Sequence, residues 1–289
     1  MSVQRRTLVV DGLETSYLEA GPPAGQPSGE PVVLLHGGEF GASAELGWER
    51  IIPLLAAHHR VLAPDQLGYG STAKVHDFTD GRAMRIRHVA RFCALLGIES
   101  ACFAGNSMGA INLLADATSA RPLLPASRIA LICGGGQIQA GEHMAALQDY
   151  DASVDGMRRI VTALFADPAY AADDEYVARR RESSLLPGAW EAIAAARFRR
   201  PRRAEDQLTD NSNRPAAGDL VPDRPYGRVR VPVLVIEGGR DKLLPPGWAK
   251  HLAAQVPDGT AAVVDDAGHC PQAERPEVTS RLLLDFFAR

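Results

Sequence analysis

At 289 residues the chain is long enough to bury a core without disulfides or a structural metal, and one or two domains are expected. With 46% hydrophobic and 23% charged residues it is neither collagen-like, nor a coiled coil, nor disordered. The formal net charge of −4 offers no overall basic excess for nucleic acid. Cys93, Cys102, Cys133 and Cys270 form no C-x-x-C pair, which argues against a disulfide framework or a zinc site and points to a reducing, cytoplasmic setting. The opening residues have too short an apolar run for a signal peptide, and no run of about 18 apolar residues marks a membrane span.

In chain order, 8–10 and 15–19 read as a hairpin around Asp11-Gly12. A Gly/Pro-rich loop at 22–31 follows. The apolar run 32–35 reads as a strand buried on both faces, leading into His36-Gly37-Gly38. A helix is expected over 48–58, a strand over 60–64, and a helix over 80–96 that stops at Gly97. Strands at 100–104 and 128–133 flank a helix at 108–117. From 137 to 228 the pattern is helices and loops without a convincing strand. The alternation returns with a strand at 231–237, a helix at 247–256, a strand at 260–265 and a helix at 274–288. Strands alternating with helices imply a mostly parallel sheet covered on both faces. The expected division is a core of 1–136 and 229–289, with 137–228 inserted at the carboxyl edge of the sheet, where such sheets bind ligands.

Gly105-Asn106-Ser107-Met108-Gly109 fits G-x-S-x-G between a predicted strand and a predicted helix. A sharp turn there needs small neighbours, lifts the Ser107 hydroxyl off the sheet, and aims backbone N–H groups of a helix start at any negative charge beside it. A serine hydroxyl needs a base. His269, in the Gly-flanked loop after the last strand, is the candidate. His58 and His59 are read as ending a helix, His76 and His88 as polar or helical surface, His143 as part of the insertion, and His251 as helical. His36 is read as orienting its own loop. Asp241, after the strand at 231–237, is the candidate acid that fixes the His269 tautomer. Its bland alternative is a surface pair with Arg240 or Lys242. The order Ser, Asp, His, each at a strand's carboxyl end, favours the catalytic reading. The backbone amides of Gly38 and Met108 are the expected oxyanion donors, with Gly37 and Gly38 allowing close approach of the substrate. Asp65 is read as structural.

On His36-Gly37-Gly38, the run from Pro64 to Ser71, Gly105–Gly109, Gly239-Arg240-Asp241 and Gly268-His269, taken in that order, the chain resembles the α/β-hydrolase fold family over nearly its whole length. The resemblance implies an eight-stranded, mostly parallel sheet with a helical cap, and a cofactor-free serine hydrolase without a metal. G-N-S-M-G, the double glycine and an Arg-rich cap are similar to the meta-cleavage product hydrolases, which cut a carbon–carbon bond in vinylogous diketo acids from aromatic-ring breakdown. That likeness implies Asn106 near the substrate's polar end and a cap arginine, Arg181 or Arg180, on its dienoate or carboxylate. Two departures touch the pocket. The family's H-G-G-G-P-G becomes His36-Gly37-Gly38-Glu39-Phe40-Gly41, and the Trp that often follows the catalytic His is Cys270.

Between Glu175 and Asp206 the sequence has arginines at 179, 180, 181, 197, 199, 200, 202 and 203. Most are read as a solvated, ion-paired helix face, with one or two facing the cleft to favour an anionic or polar small molecule. Few aromatic residues accompany them, so nucleic acid is not expected. Other readings are a carboxylesterase, lactonase or thioesterase of secondary metabolism, and a non-catalytic ligand-binding relative. Dehalogenases and epoxide hydrolases are disfavoured, since those relatives carry Asp where Ser107 stands. A homodimer is compatible with the fold.

Overall fold

The computed structural model describes residues 2–23, 28–196 and 224–289. β1 (Gln4–Val10) and β2 (Leu13–Ala20) pair antiparallel around Asp11 and Gly12, both left-handed at φ 49° and 82°. That turn matches the natural twist of the two strands, which run longer than the sequence pattern implies. There follow β3 (Gly29–Leu35), α1 (Ala44–Trp48), α2 (Ile52–Leu55), β4 (His59–Pro64), α3 (Gly81–Leu95), β5 (Ala101–Asn106), α4 (Met108–Ala117) and β6 (Ala126–Ile132). The helices α5 (Glu142–Gln148), α6 (Val154–Leu164), α7 (Ala169–Ala172), α8 (Asp174–Ser184) and α9 (Ala189–Ala195) come before the sheet resumes. The chain closes with β7 (Val233–Gly238), α10 (Trp248–Ala253), β8 (Gly259–Val264), α11 (Pro271–Glu274) and α12 (Pro276–Phe287).

The strands form one eight-stranded sheet in the order β1-β2-β4-β3-β5-β6-β7-β8. It is parallel from β4 to β8, and β1 and β2 are antiparallel at one edge. This is the mostly parallel α/β-hydrolase sheet expected. β5 and β7 are buried along their whole length, so their side chains can be apolar on both faces. A second apolar cluster joins α5, α6, α8 and α9 to Phe40, Tyr69, Leu243 and Cys270, seating these helices over the ends of the strands.

Prolines set two helix starts later than expected. Of the helix over 48–58 only the short α2 forms, because Pro53 lacks an N–H and its ring would collide with the carbonyl four residues back, while Trp48 ends the separate α1. The helix over 274–288 is present as α12 but begins at Pro276, which forces Arg275 to φ −135°, ψ 61°, outside the helical region, and so separates it from the short α11 before it. His59 opens β4 rather than ending a helix. His88 is buried, bonded to Thr15 Oγ1 at 2.9 Å, and burial pushes its pKa down to about 4.

Candidate active site

β5 runs into α4 with only Ser107 between them, and Ser107 sits at φ 51°, ψ −114°. An L-residue there is strained, and strain of this kind persists only where the surroundings enforce it. The enforcement is visible. Ser107 N–H donates to Ile132 O at 2.9 Å. A Cβ on Gly105 would meet Gly109 C at 2.4 Å, and one on Gly109 would meet Leu35 O at 2.2 Å. Only glycines let β3, β5 and α4 come this close.

His269 lies beyond β8 and Asp241 beyond β7. His269 Nε2 is 2.9 Å from Ser107 Oγ, and Nδ1 is 2.8 Å from Asp241 Oδ2. The side chains of His269 and Asp241 are 3% and 2% exposed, so their pairing is little screened by water. Asp241 Oδ1 accepts the Leu243 N–H at 2.8 Å. Burial works against an imidazolium at His269, but the charge and hydrogen bond of Asp241, joined by the charge of Glu39, outweigh it and hold the pKa above the ordinary imidazole value. Burial likewise raises the Asp241 carboxyl, and its bonds to His269 and Leu243 overcome that and lower it. Cys133 Sγ, Asp241 and His269 present ligand atoms within 4.8 Å of one another. A cation there would have to break the His269–Asp241 bond, and burial keeps the Cys133 thiol well above its usual range, so the set is poorly suited to a metal.

The base loop is tied to the helices above it. His269 N–H donates to Leu164 O at 2.7 Å, at the end of α6. Lys242 Nζ donates to Thr162 O at 2.7 Å and Phe165 O at 2.9 Å. The buried Glu274 carboxylate accepts from Gly268 N at 2.6 Å and from Ala166 N and Asp167 N at 2.8 and 2.9 Å. Sequence reading missed Glu274, whose partners include backbone more than a hundred residues away.

On the other side of Ser107, a Cβ on Gly38 would lie 2.9 Å from Met108 Cβ and Sδ, so the loop after β3 packs directly on the start of α4. Tyr69 OH donates to Gly38 O at 2.9 Å. His36 spans two loops: Nε2 accepts the Gln66 N–H at 2.9 Å, which leaves Nδ1–H to donate to Gly37 O at 2.8 Å. Burial lowers its pKa, so it stays neutral. Asp65 accepts from Ala44 N and Ser71 N, at 2.7 and 2.9 Å, and shapes the neighbouring turns.

A small pocket, partly open to solvent, is lined by Asn106 and Cys270, the chain neighbours of Ser107 and His269. Gly37, Glu39, Arg180 and Gln272 also line it. Asn106 Nδ2 donates to Ile132 O and His269 O at 3.2 and 2.9 Å. Burial pushes the Cys270 thiol well above its usual range, so it is an inert wall. Arg180 is 2% exposed and pairs directly with Glu39. Its Nη1 donates to Tyr176 OH at 3.1 Å. Tyr176 is pushed up to about 12, chiefly by burial, so its phenol stays neutral.

Of the two cap arginines named from the sequence, the structure brings Arg180 to the cavity and not the favoured Arg181. Arg181 Nε donates to Ala152 O at 2.8 Å, on another face of α8. The signal was the periodicity: Tyr176 and Val177 are the apolar residues of α8, and one turn on from them comes Arg180. Arg179 turns outward to Glu49, at 2.6 Å. Arg197, Arg199, Arg200, Arg202 and Arg203 lie outside the described residues.

No helix of the described residues is long and apolar enough to cross a membrane. Residues 32–282 match the model of the alpha/beta hydrolase family. The 2-hydroxy-6-oxo-6-(2'-aminophenyl)hexa-2,4-dienoic acid hydrolase of Metapseudomonas resinovorans is 32% identical over 281 residues, covering 96% of this chain and 89% of the relative. The 2-hydroxy-6-oxo-2,4-heptadienoate hydrolase of Pseudomonas putida is 28% identical over 98% of this chain and 96% of its own length. Among solved structures, a meta-cleavage product hydrolase from Pseudomonas fluorescens superposes with a TM-score of 0.81 at 25% identity, covering 98% of this chain and 97% of that one. A serine hydrolase of carbazole degradation superposes at 0.78 with 28% identity and 99% coverage of both chains. With most of its length matched by the family model and by such a relative, the chain is a hydrolase that belongs to the alpha/beta hydrolase family.

Proposed function

We propose that this enzyme hydrolyses a carbon–carbon bond beside a ketone in a diketo or dienoate-type acid, with Ser107 as nucleophile, His269 as base and Asp241 as its orienting acid. The observation that carries the reading is the row from Ser107 Oγ to His269 at 2.9 Å and on to Asp241 at 2.8 Å, with the neighbouring residues Asn106 and Cys270 lining a small pocket. The relatives' names supply the substrate class. Among the described residues, the helices α5 to α9 of the insertion serve as a cap over this end of the sheet, and Arg180 is its polar contact in place of Arg181.

In this chemistry a proton first goes to the dienol carbon, which makes the leaving group a stabilised carbanion equivalent. His269 and polar cavity residues manage that proton. His269 then takes the Ser107 proton, or that of a water, as the oxygen adds to the ketone carbonyl. The amides of Met108 and Gly38 hold the resulting oxyanion. Collapse breaks the carbon–carbon bond, its electron pair leaves with the departing carbon, and His269 returns the proton. If Ser107 has been acylated, water releases the acid by the reverse of the same proton traffic. The chemistry calls for no cofactor.

One observation favours a second reading, a carboxylic ester hydrolase. Arg180, the buried cation nearest the polar end, is already engaged by Glu39, which weakens the expectation of an acidic substrate. A panel pairing short p-nitrophenyl esters with a coloured dienoate, run on wild type and Ser107→Ala, separates the two. Bleaching of the dienoate by wild type alone supports the first reading. Ester turnover with an inert dienoate removes it.

A further inference from the structure

A buried polar atom is normally paired, and one that is not either costs stability or is kept for a partner outside the chain. Two side-chain atoms of this kind belong to residues that line the pocket shared with Asn106 and Cys270. Arg180 Nε–H is a buried donor and Gln272 Oε1 a buried acceptor, each without a partner among the described residues. The two residues are 2% and 1% exposed. The rest of the guanidinium is in use: Nη2 meets Glu39, and Nη1 donates to Tyr176 OH at 3.1 Å. Gln272 stands on α11, just beyond His269, and α11 is held from several sides. Ala273 O accepts from Arg50 Nη1 and from Tyr170 OH, both at 2.8 Å, and Pro271 O accepts from Thr279 Oγ1 at 2.9 Å. The amide is therefore presented from a fixed backbone, as a recognition group needs to be.

An orphan donor and an orphan acceptor on the walls of one pocket suit a ligand end with the reverse pair, an acceptor and a donor. The acid proposed above reacts from its dienol form, whose polar end carries both: a carboxylate, which only accepts, and an enol hydroxyl, which can donate. At that end, the hydroxyl alone can serve Gln272 Oε1. We infer that Gln272 is a specificity-determining residue whose side-chain oxygen accepts the enol hydroxyl of the substrate, with Arg180 Nε–H donating to the oxygen beside it. An analogue without the hydroxyl leaves Oε1 buried and unpaired in the complex, and that unmet bond is what rejects it. The amide is neutral, so the contact adds no charge to a pocket that already holds the Glu39–Arg180 pair.

The inference rests on the dienoate-type acid proposed above as the substrate class. Its test compares two ligands that differ by one oxygen, 2-hydroxy-6-oxo-6-phenylhexa-2,4-dienoate and 6-oxo-6-phenylhexa-2,4-dienoate, in mildly acidic buffer where the enol keeps its proton. Both are titrated by calorimetry into Ser107→Ala, which lacks the nucleophile. Ser107→Ala is expected to bind the hydroxy ligand at least about tenfold more tightly, and Ser107→Ala/Gln272→Met to lose that preference through weaker binding of the hydroxy ligand alone. The urea midpoint of Gln272→Met adds a readout that separates recognition from structure. An acceptor with no partner in the free protein can give way to a thioether of similar length without loss, so the midpoint should lie at or above that of wild type. Equal binding of the two ligands by Ser107→Ala overturns the inference without need of a Gln272 variant. A preference that survives Gln272→Met overturns it too, and so does a Gln272→Met protein that unfolds or has a clearly lower midpoint, since the amide would then be part of the fold. If Ser107→Ala binds neither ligand, the dienoate reading itself falls and this inference falls with it.

Discussion

The tightest approach at the nucleophile turn sets two opposing effects against each other in Gly109→Ala. Gly109 is a helical position of α4, and alanine there gains about 1 kcal/mol of helix propensity over glycine. Against this, the new methyl would lie 2.2 Å from Leu35 O, 2.7 Å from Leu35 C and 2.9 Å from Leu35 Cβ. Carbon atoms in ordinary contact sit about 3.5–4 Å apart, so the overlap is on the order of 1 Å. The obstructing atoms are mainly backbone, in a strand hydrogen-bonded to β4 on one side and β5 on the other, and no rotamer change relieves them. Overpacking costs about 1–3 kcal/mol where a core can adjust, and more where it cannot. Taking about 3–4 kcal/mol for this unyielding backbone contact and subtracting the propensity gain of about 1 kcal/mol, a net loss of about 2–3 kcal/mol is expected. If α4 shifts by about 1 Å to make room, Ser107 moves off the His269 ring and kcat/KM falls by roughly a hundredfold. Urea unfolding and ester hydrolysis measure both. Gly227→Ala, where a Cβ meets nothing within 4 Å, is the control and should match wild type. A Gly109→Ala protein with a denaturation midpoint at or above wild type and kcat/KM within about twofold would show the close approach to be unimportant.

Three further outcomes follow from the same geometry. Ser107→Gly relieves the residue held at φ 51°, ψ −114°, and should raise stability by about 1–2 kcal/mol while abolishing hydrolysis; a variant no more stable than wild type in urea denies the strain. Activity is expected to be lost as pH falls, since protonated His269 cannot accept the Ser107 proton, with a midpoint above the ordinary imidazole value. Asp241→Asn removes the larger opposition to burial and leaves only the charge of Glu39, so that midpoint should move down as the rate drops by roughly 10⁴, and an unmoved midpoint in kcat/KM would refute the assignment. In Glu274→Gln the best amide orientation keeps the bonds to Ala166 and Asp167 and turns an NH₂ toward the Gly268 N–H. Burial raises the pKa of Glu274, so removing its charge offsets part of the loss, and a decrease of about 1–2 kcal/mol is expected together with a lower kcat. Exposed Glu277→Gln should change neither, and equal melting curves for the two variants would remove Glu274 from this role.

The features legible in the sequence were those whose physical cause is local. A strand-turn-helix with glycines at fixed offsets has one sterically workable form, so Ser107 could be placed from five residues. Asp241 and His269 could be placed because each follows a strand at the carboxyl edge of the sheet. The prolines at 53 and 276 carried enough information to set the helix starts, and the pattern of apolar residues ran past them. The choice among Arg179, Arg180 and Arg181 is a matter of helix rotation, about 100° per residue, and only the apolar pair Tyr176-Val177 fixes it. Glu274 had no local signal. Its role depends on where the end of α6 comes to rest, a long-range packing outcome. Glu39 was visible as a departure from the family's glycines, but its pairing with Arg180 required α8 to be in place.

These non-local contacts share one end of α6. A helix leaves its last carbonyls without intrahelical partners, and a buried carbonyl without a donor is costly. Here the missing donors come from the loops that carry the acid and the base: His269 N–H serves Leu164 O, while Lys242, next to Asp241, serves Thr162 O and Phe165 O. A cation at a helix carboxyl end is also favoured by the helix dipole. The arrangement makes the position of the imidazole backbone depend on α6 staying where it is. Opposite it, the helices between β6 and β7 meet the loop after β3 through contacts that include the buried Glu39–Arg180 pair and Phe40 against Tyr150, with ring centroids 4.8 Å apart. The charge of Glu39 reaches both sides of the site: it cancels Arg180 and also favours a protonated His269. Removing it should therefore move the acid limb of the pH profile slightly downward, because burial of His269 would then be opposed by Asp241 alone; a Glu39→Gln limb that does not move would show that its charge does not reach the imidazole.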